Sequence, residues 1–237
     1  MEGYAVTAQY YDPLAATTHA DTDRRIAAAL AGLDTTPGPI VDVGAGTGLT
    51  TALIAATLPE VEIFAVEPDA AMRPALMTRV WNDPDLRARV TVLPFAMLAA
   101  PLPEVIAGAV LSASLVHFAP EDRATLWNLL AKRLARSGRI VVEVQCPVAE
   151  DLPENAMASV RVGRITYRGA AAAERIAADR QRWRMTYRAF LGEEELRCDR
   201  TRYDCWTVSA GQVVAEAAVA GLTGRVADDL VILTQPG

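Results

Sequence analysis

The chain has 237 residues, 51% hydrophobic and 22% charged, which is enough for a packed core and unlike a disordered segment. A net charge of −6 argues against a general nucleic-acid binder. No apolar run approaches the roughly 20 residues that span a bilayer. Cys146, Cys198 and Cys205 lack C-x-x-C spacing and His19 and His117 are the only histidines, so neither a disulfide framework nor a metal site is expected.

Residues 22–33 read as an amphipathic helix behind Asp21, with Ile26, Leu30 and Leu33 on one face. Pro39 to Val43 reads as a buried strand and Leu49 to Leu58 as the helix after it. Glu62 to Val66 and Asp69 to Val80 repeat the pair. Val90–Leu93 and Ala109–Leu111 are short strands, Pro120 to Leu134 a helix opened by Glu121 and Asp122, and Arg139 to Val144 a fifth strand. Strands alternating with helices of this length predict an α/β fold with a parallel sheet covered on both faces. After Pro147 the pattern changes. Arg164–Arg168 and Trp183–Leu191 alternate like strands, Gly192 turns the chain, Leu196 to Trp206 runs back, and residues 170–180 look helical. This stretch reads as an antiparallel insert over one edge of the core. Ser209 to Ala220 is again helical, and Thr223–Val226 with Leu230–Thr234 forms a hairpin completing the main sheet. The expected division is 1–149 for the core with an N-terminal helical cap, 150–205 for the insert, and 206–237 for the last helix and hairpin. The N-terminal Met1-Glu2-Gly3-Tyr4 has no basic stretch ahead of an apolar one, so a cytoplasmic location is expected.

Asp42-Val43-Gly44-Ala45-Gly46-Thr47-Gly48 closes the first strand and opens the first helix. Its glycines let the backbone turn tightly and approach a ligand. The helix N-terminus offers N–H groups suited to a carboxylate or phosphate. Nineteen residues past Gly48 stands Glu67, at the end of the second strand, where an acid can accept hydrogen bonds from both hydroxyls of a ribose. The pair specifies an adenosine-type nucleoside. A dinucleotide loop wants G-x-G-x-x-G, whereas here the glycines fall at 44, 46 and 48 and Leu49 takes the later position.

The run D-V-G-A-G-T-G resembles motif I of the class I S-adenosylmethionine (SAM)-dependent methyltransferases, and Val66-Glu67-Pro68-Asp69 resembles their acidic motif. The resemblance implies a Rossmann-like seven-stranded sheet, mostly parallel with an antiparallel last strand, and SAM as cofactor with S-adenosylhomocysteine as its product. By the same resemblance the loop Gly44-Ala45-Gly46 with Gly48 wraps the methionine part, Asp42 reaches its ammonium directly or through water, Glu67 holds the ribose diol and Pro68 lies beside the adenine. Met72 is a further adenine candidate, with core packing as the alternative. Pro94-Phe95-Ala96-Met97 stands where many family members have an acidic residue for the adenine amino group. Backbone groups of Ala96 and Met97 and apolar contact from Phe95 are expected to serve instead. Leu111-Ser112-Ala113-Ser114-Leu115-Val116-His117-Phe118 resembles motif IV, which puts Ser112 among the cofactor residues. That segment lacks the Asn/Asp-Pro-Pro-Tyr of base-methylating enzymes and the carboxylate of the Mg²⁺-dependent ones, so a metal-independent enzyme on a non-nucleic-acid substrate is implied.

His117 is the leading general base, against a reading as a capping or hydrogen-bonding residue. His19, in the N-terminal segment, is a second candidate. Tyr10-Tyr11-Asp12 resembles the N-terminal element of small-molecule methyltransferases, where the tyrosine closes over SAM, and Tyr11 would take that role. The insert is similar to the lid sheet of glycine N-methyltransferase and amino-sugar N-methyltransferases. Tyr167, Trp183, Met185 and Tyr187 are therefore candidate substrate contacts, with packing of the sheet as the alternative. Residues 161–205 hold eleven arginines against seven acidic residues, while 1–160 hold eleven basic against nineteen acidic. For Arg182, Arg184 and Arg188 a solvated face, a homodimer contact and a carboxylate-bearing substrate stay open. The implied activity is transfer of the SAM methyl group to N or O of a small molecule. A SAM-binding protein without methyl transfer and a nicotinamide-dependent oxidoreductase are the rivals.

Overall fold

A computed structural model describes residues 4–237. Met1, Glu2 and Gly3, on which the leader reading partly rests, and the side chains of Ala16 and Thr17 lie outside the described residues. The chain opens with α1 (Tyr4–Thr7), α2 (Tyr11–Thr18) and α3 (Ala20–Leu30). Then come β1 (Ile40–Val43), α4 (Leu49–Thr57), β2 (Ile63–Val66), α5 (Arg73–Asn82), α6 (Pro84–Arg89) and β3 (Val90–Leu93). They are followed by β4 (Ile106–Leu111), α7 (Pro120–Arg133) and β5 (Leu134–Glu143). The strands β6 (Leu152–Val162), β7 (Ile165–Arg175), β8 (Arg180–Leu191) and β9 (Glu194–Trp206) come next, and α8 (Ala210–Val219), β10 (Thr223–Ala227) and β11 (Leu230–Thr234) end the chain. Contacts divide it into two units. The residues up to Asp21 group with Val148–Thr207, and Thr22–Pro147 groups with Val208–Gly237.

The larger unit is a seven-stranded sheet in the order β10-β11-β5-β4-β1-β2-β3. β1 to β5 are parallel, and β11 runs antiparallel to both β5 and β10. Period-two alternation sends neighbouring residues to opposite faces. Val41, Val43, Ile140 and Val142 meet Leu126, Trp127 and Leu130 of α7 and Val213 and Ala217 of α8. Ile40, Val110, Val141 and Ile232 meet Ile26 and Leu30 of α3 and Ile54 and Ala55 of α4. Both faces are covered, so the central strands are apolar throughout and β4 is buried along its whole length. The order reverses between β1 and β4, and in open α/β sheets ligands bind beyond the carboxyl ends of the strands at that point.

The smaller unit is an antiparallel sheet in the order β6-β7-β8-β9. One face carries Ala171, Met185 and Tyr187, which pack against Tyr10 and Leu14. The expected helix over 170–180 is absent. Alanine favours helices in isolation, but Ala170–Ala173 are claimed on both sides, with Ala171 opposite Met185 and Ala173 opposite Trp183. Their small side chains give the close approach that packing needs. A Cβ at Gly169 would fall 2.9 Å from Leu14 Cδ1. The edge strand β6, mostly exposed, has no counterpart in the sequence reading. Among the described residues no helix is long and apolar enough to cross a membrane, and none of the three cysteines is in a disulfide.

Candidate cofactor site

The turn from β1 into α4 is built on left-handed backbone. Gly44, Gly46 and Gly48 have φ of 73°, 58° and 87°, a region that residues with a Cβ rarely enter. Gly44 is also space-limited, since a Cβ there would lie 2.7 Å from Ser114 Cβ. At Gly48 it would lie 2.7 Å from Leu76 Cδ1.

Most of the loop's own N–H groups are engaged within the protein. Gly44 N and Ala45 N donate to Val66 O, Gly48 N donates to Ala45 O, and Gly46 N donates to Glu67 Oε2 at 2.7 Å. Glu67 Oε1 accepts from Asp69 N at 2.7 Å, so one carboxylate ties the loop after β1 to the turn after β2. Burial raises the Glu67 pKa, and the two backbone bonds pull against it. Asp42 is 1% exposed and its Oδ2 accepts from Thr51 Oγ1 at 2.6 Å. Burial, with a contribution from the Glu67 charge and against the Thr51 bond, pushes the Asp42 pKa up to about 7. Two acids therefore share a site in which Asp42 has no cationic side-chain partner among the described residues. Two buried hydroxyl oxygens here, Thr47 Oγ1 and Ser114 Oγ, have no hydrogen-bond partner among the described residues.

The other expected cofactor residues take varied positions. Pro68, Phe95 and Ala96 are exposed in the turns after β2 and β3. Met72 and Met97 are buried at 3% and 4%, Met97 within the main core. Ser112 donates its hydroxyl to Glu143 Oε2 at 2.8 Å. His117 ends a short 3-10 turn, Leu115–His117, beyond β4. It is solvent-accessible, but the protein packed around it lowers its pKa from the ordinary 6.5 by desolvation.

Residues 40–138 match the family model described as a methyltransferase domain. Over these residues the chain carries a methyltransferase domain. Solved structures repeat its fold over nearly the whole chain. The SAM-bound amino pentose methyltransferase CalS10 from Micromonospora echinaspora is 19% identical, covering 92% of this chain and 89% of its own, with a TM-score of 0.71. The sugar N-methyltransferase KedS8 from Streptoalloteichus is 19% identical over 93% and 87%, with a TM-score of 0.68. The glycopeptide N-methyltransferase MtfA, solved with S-adenosylhomocysteine, is 19% identical over 91% and 86%, with a TM-score of 0.61. No curated protein matches the chain significantly.

Within the smaller unit, Met185 and Tyr187 are buried and Tyr167 and Trp183 half-buried, all on the face that packs against α2. Tyr10 stacks on Tyr187 with centroids 4.8 Å apart and donates to Asp199 Oδ2 at 2.5 Å. Burial and the Asp199 bond push its pKa up to about 12. Tyr11 meets His19 edge-on at 6.3 Å. Arg182 makes a two-pronged pair with Asp204, at 2.7 and 2.9 Å, Arg184 reaches Glu174 at 3.3 Å, and Arg188 lies near Glu154 and Glu195. Much of the arginine excess is therefore spent within the sheet's own charged face.

Proposed function

We propose that this protein transfers the methyl group of SAM, by in-line displacement at the methyl carbon, to a nitrogen or oxygen of a small-molecule natural-product intermediate, without a metal. The acid pair Asp42 and Glu67 carries this reading. A buried carboxylate with a raised pKa is stabilised by a cation, and SAM brings an ammonium and a sulfonium. A dinucleotide brings a pyrophosphate instead, and the Gly46 N–H that would meet it already donates to Glu67. KedS8 and MtfA, as a sugar and a glycopeptide N-methyltransferase, favour a nitrogen acceptor. Support for metal independence is that the described residues hold no group of three or more His, Cys, Asp or Glu side chains able to bind an ion.

When bound, SAM supplies a methyl group already activated on sulfur. The protein's share is alignment. Gly44, Ala45, Gly46 and Gly48 wrap the methionine part, Asp42 holds the ammonium, and Glu67 takes the ribose hydroxyls. Pro68, Met72, Phe95, Ala96 and Met97 would hold the adenine, with Ser112 and Tyr11 as further cofactor contacts. Tyr167, Trp183, Met185 and Tyr187 serve the acceptor. An amine that arrives neutral needs no base. An oxygen acceptor needs one, and His117, with His19 as second candidate, takes that proton.

Calorimetric titration tests the reading. SAM and S-adenosylhomocysteine are expected to bind and NAD is not; binding of NAD without SAM refutes it. Asp42 adds a pH signature. Its carboxyl is half protonated near pH 7 in the free protein, and only the carboxylate attracts an ammonium. SAM affinity should therefore fall up to about tenfold per pH unit below 7. Titration at pH 6.5 in two buffers of different ionisation enthalpy should detect proton release, and Asp42→Asn should abolish it. For an oxygen acceptor, kcat/KM should drop as pH falls through the lowered His117 pKa. His117→Ala should slow transfer by about 10²–10⁴-fold and erase that acid limb.

A further inference from the structure

We infer that Glu143 is a positioning residue for the cofactor, holding a bend after β4 that turns the Ser114 hydroxyl toward the ligand's amino-acid end. The inference rests on the SAM reading above and adds two residues to it. Glu143 ends β5 and is 8% exposed. A single oxygen, Oε2, accepts from both Ser112 Oγ and Ala113 N at 2.8 Å. Ala113 sits at φ 54°, a left-handed conformation that its Cβ disfavours and that persists only where surroundings hold it. The residue after the bend, Ser114, is 4% exposed, and its buried Oγ has no hydrogen-bond partner among the described residues. Buried polar groups are seldom left unpaired, so each one asks for a partner. Ser114 lies against the bare Cα of Gly44, with its Oγ 3.5 Å from where a Cβ there would be. This is the carboxyl end of β1 beside that of β4, where the strand order reverses. A ligand carboxylate or ammonium beside Gly44 completes the hydroxyl.

Two probes separate the ends of the cofactor. SAM has the amino-acid part; 5′-methylthioadenosine has the nucleoside and thioether without it. In calorimetric titration Ser114→Ala should bind SAM about tenfold more weakly and methylthioadenosine unchanged. Glu143→Ala should show the same split. Glu143→Gln, whose side-chain oxygen still accepts both bonds, should recover SAM affinity to within about threefold of wild type. The Glu143→Ala/Ser114→Ala double variant should be no weaker than either single one, because both act through one contact. If circular dichroism finds Glu143→Ala unfolded, Ser112→Ala, which removes one of the two donors, decides the clamp through a partial loss of SAM affinity alone. Wild-type SAM affinity in Ser114→Ala, in Glu143→Ala or in that substitute, or a loss shared equally by methylthioadenosine, overturns the inference. A wild-type protein that binds no SAM overturns the parent reading instead.

Discussion

Glu67→Ala is expected to weaken SAM binding by roughly 100- to 10,000-fold, the product of several losses at one position. In the proposed role the carboxylate accepts two hydroxyls from the ribose, and each bond to a charged acceptor contributes about 1.5–3 kcal/mol. The structure adds an internal loss. The same carboxylate accepts from Gly46 N and Asp69 N, so alanine leaves two backbone donors without their partner and frees the glycine turn from the turn after β2. The ligand then loses direct bonds and also a preorganised loop. Glu67→Gln keeps one oxygen acceptor and should lie between, about tenfold weaker than wild type. Calorimetry on the variants, with circular dichroism to confirm folding, reads the result. Near-wild-type SAM affinity in a folded Glu67→Ala would remove this residue from the site and, with it, the main argument for a nucleoside.

Much of the proposed site was legible because its residues are close in sequence. Gly44 to Gly48 and Glu67 flank the first two parallel strands, and strand-turn-helix order brings their ends together whatever the rest of the chain does. The core elements followed from periodicity for the same reason: β3 begins and ends where the sequence places it, and α7 differs by one residue. The smaller unit was harder. Its alanines signal helix locally, and only pairing with β6 and β8 makes them a strand. The link from Tyr10 to Asp199 spans 189 positions, so the grouping of the N-terminal helices with the insert left no local trace. Glu143 shows the same limit within the cofactor unit. Nothing around it in sequence marks it, because Ser112 lies on a neighbouring strand 31 positions earlier.

The largest expected effect on stability comes from Glu216→Ala, at about 3–5 kcal/mol. Glu216 projects from α8 to a guanidinium on α7. Arg123 donates to it twice, Nε to Oε2 at 2.9 Å and Nη2 to Oε1 at 2.7 Å, and Trp127 Nε1 adds a third bond at 3.1 Å. The arginine side chain is 5% exposed and Trp127 fully buried. Alanine would strand a charge and an indole N–H in the layer that joins both helices to the sheet. Arg123 would keep only its bond to Phe118 O. Glu216→Gln keeps the shape and loses the charge, so it should cost less, about 1–2 kcal/mol. Burial works to raise the Glu216 pKa, but Arg123 and Trp127 outweigh it and hold the carboxyl below its ordinary 4.5. The pair's contribution is therefore complete above that value and is lost as pH falls through the lowered one. Urea denaturation at pH 7 and again at pH 3–4 should show the gap between wild type and Glu216→Ala narrowing in acid. A gap that stays constant would mean the ion pair does not carry the stability assigned to it. SAM affinity in the folded fraction should not change, since neither helix supplies a residue to the proposed cofactor site.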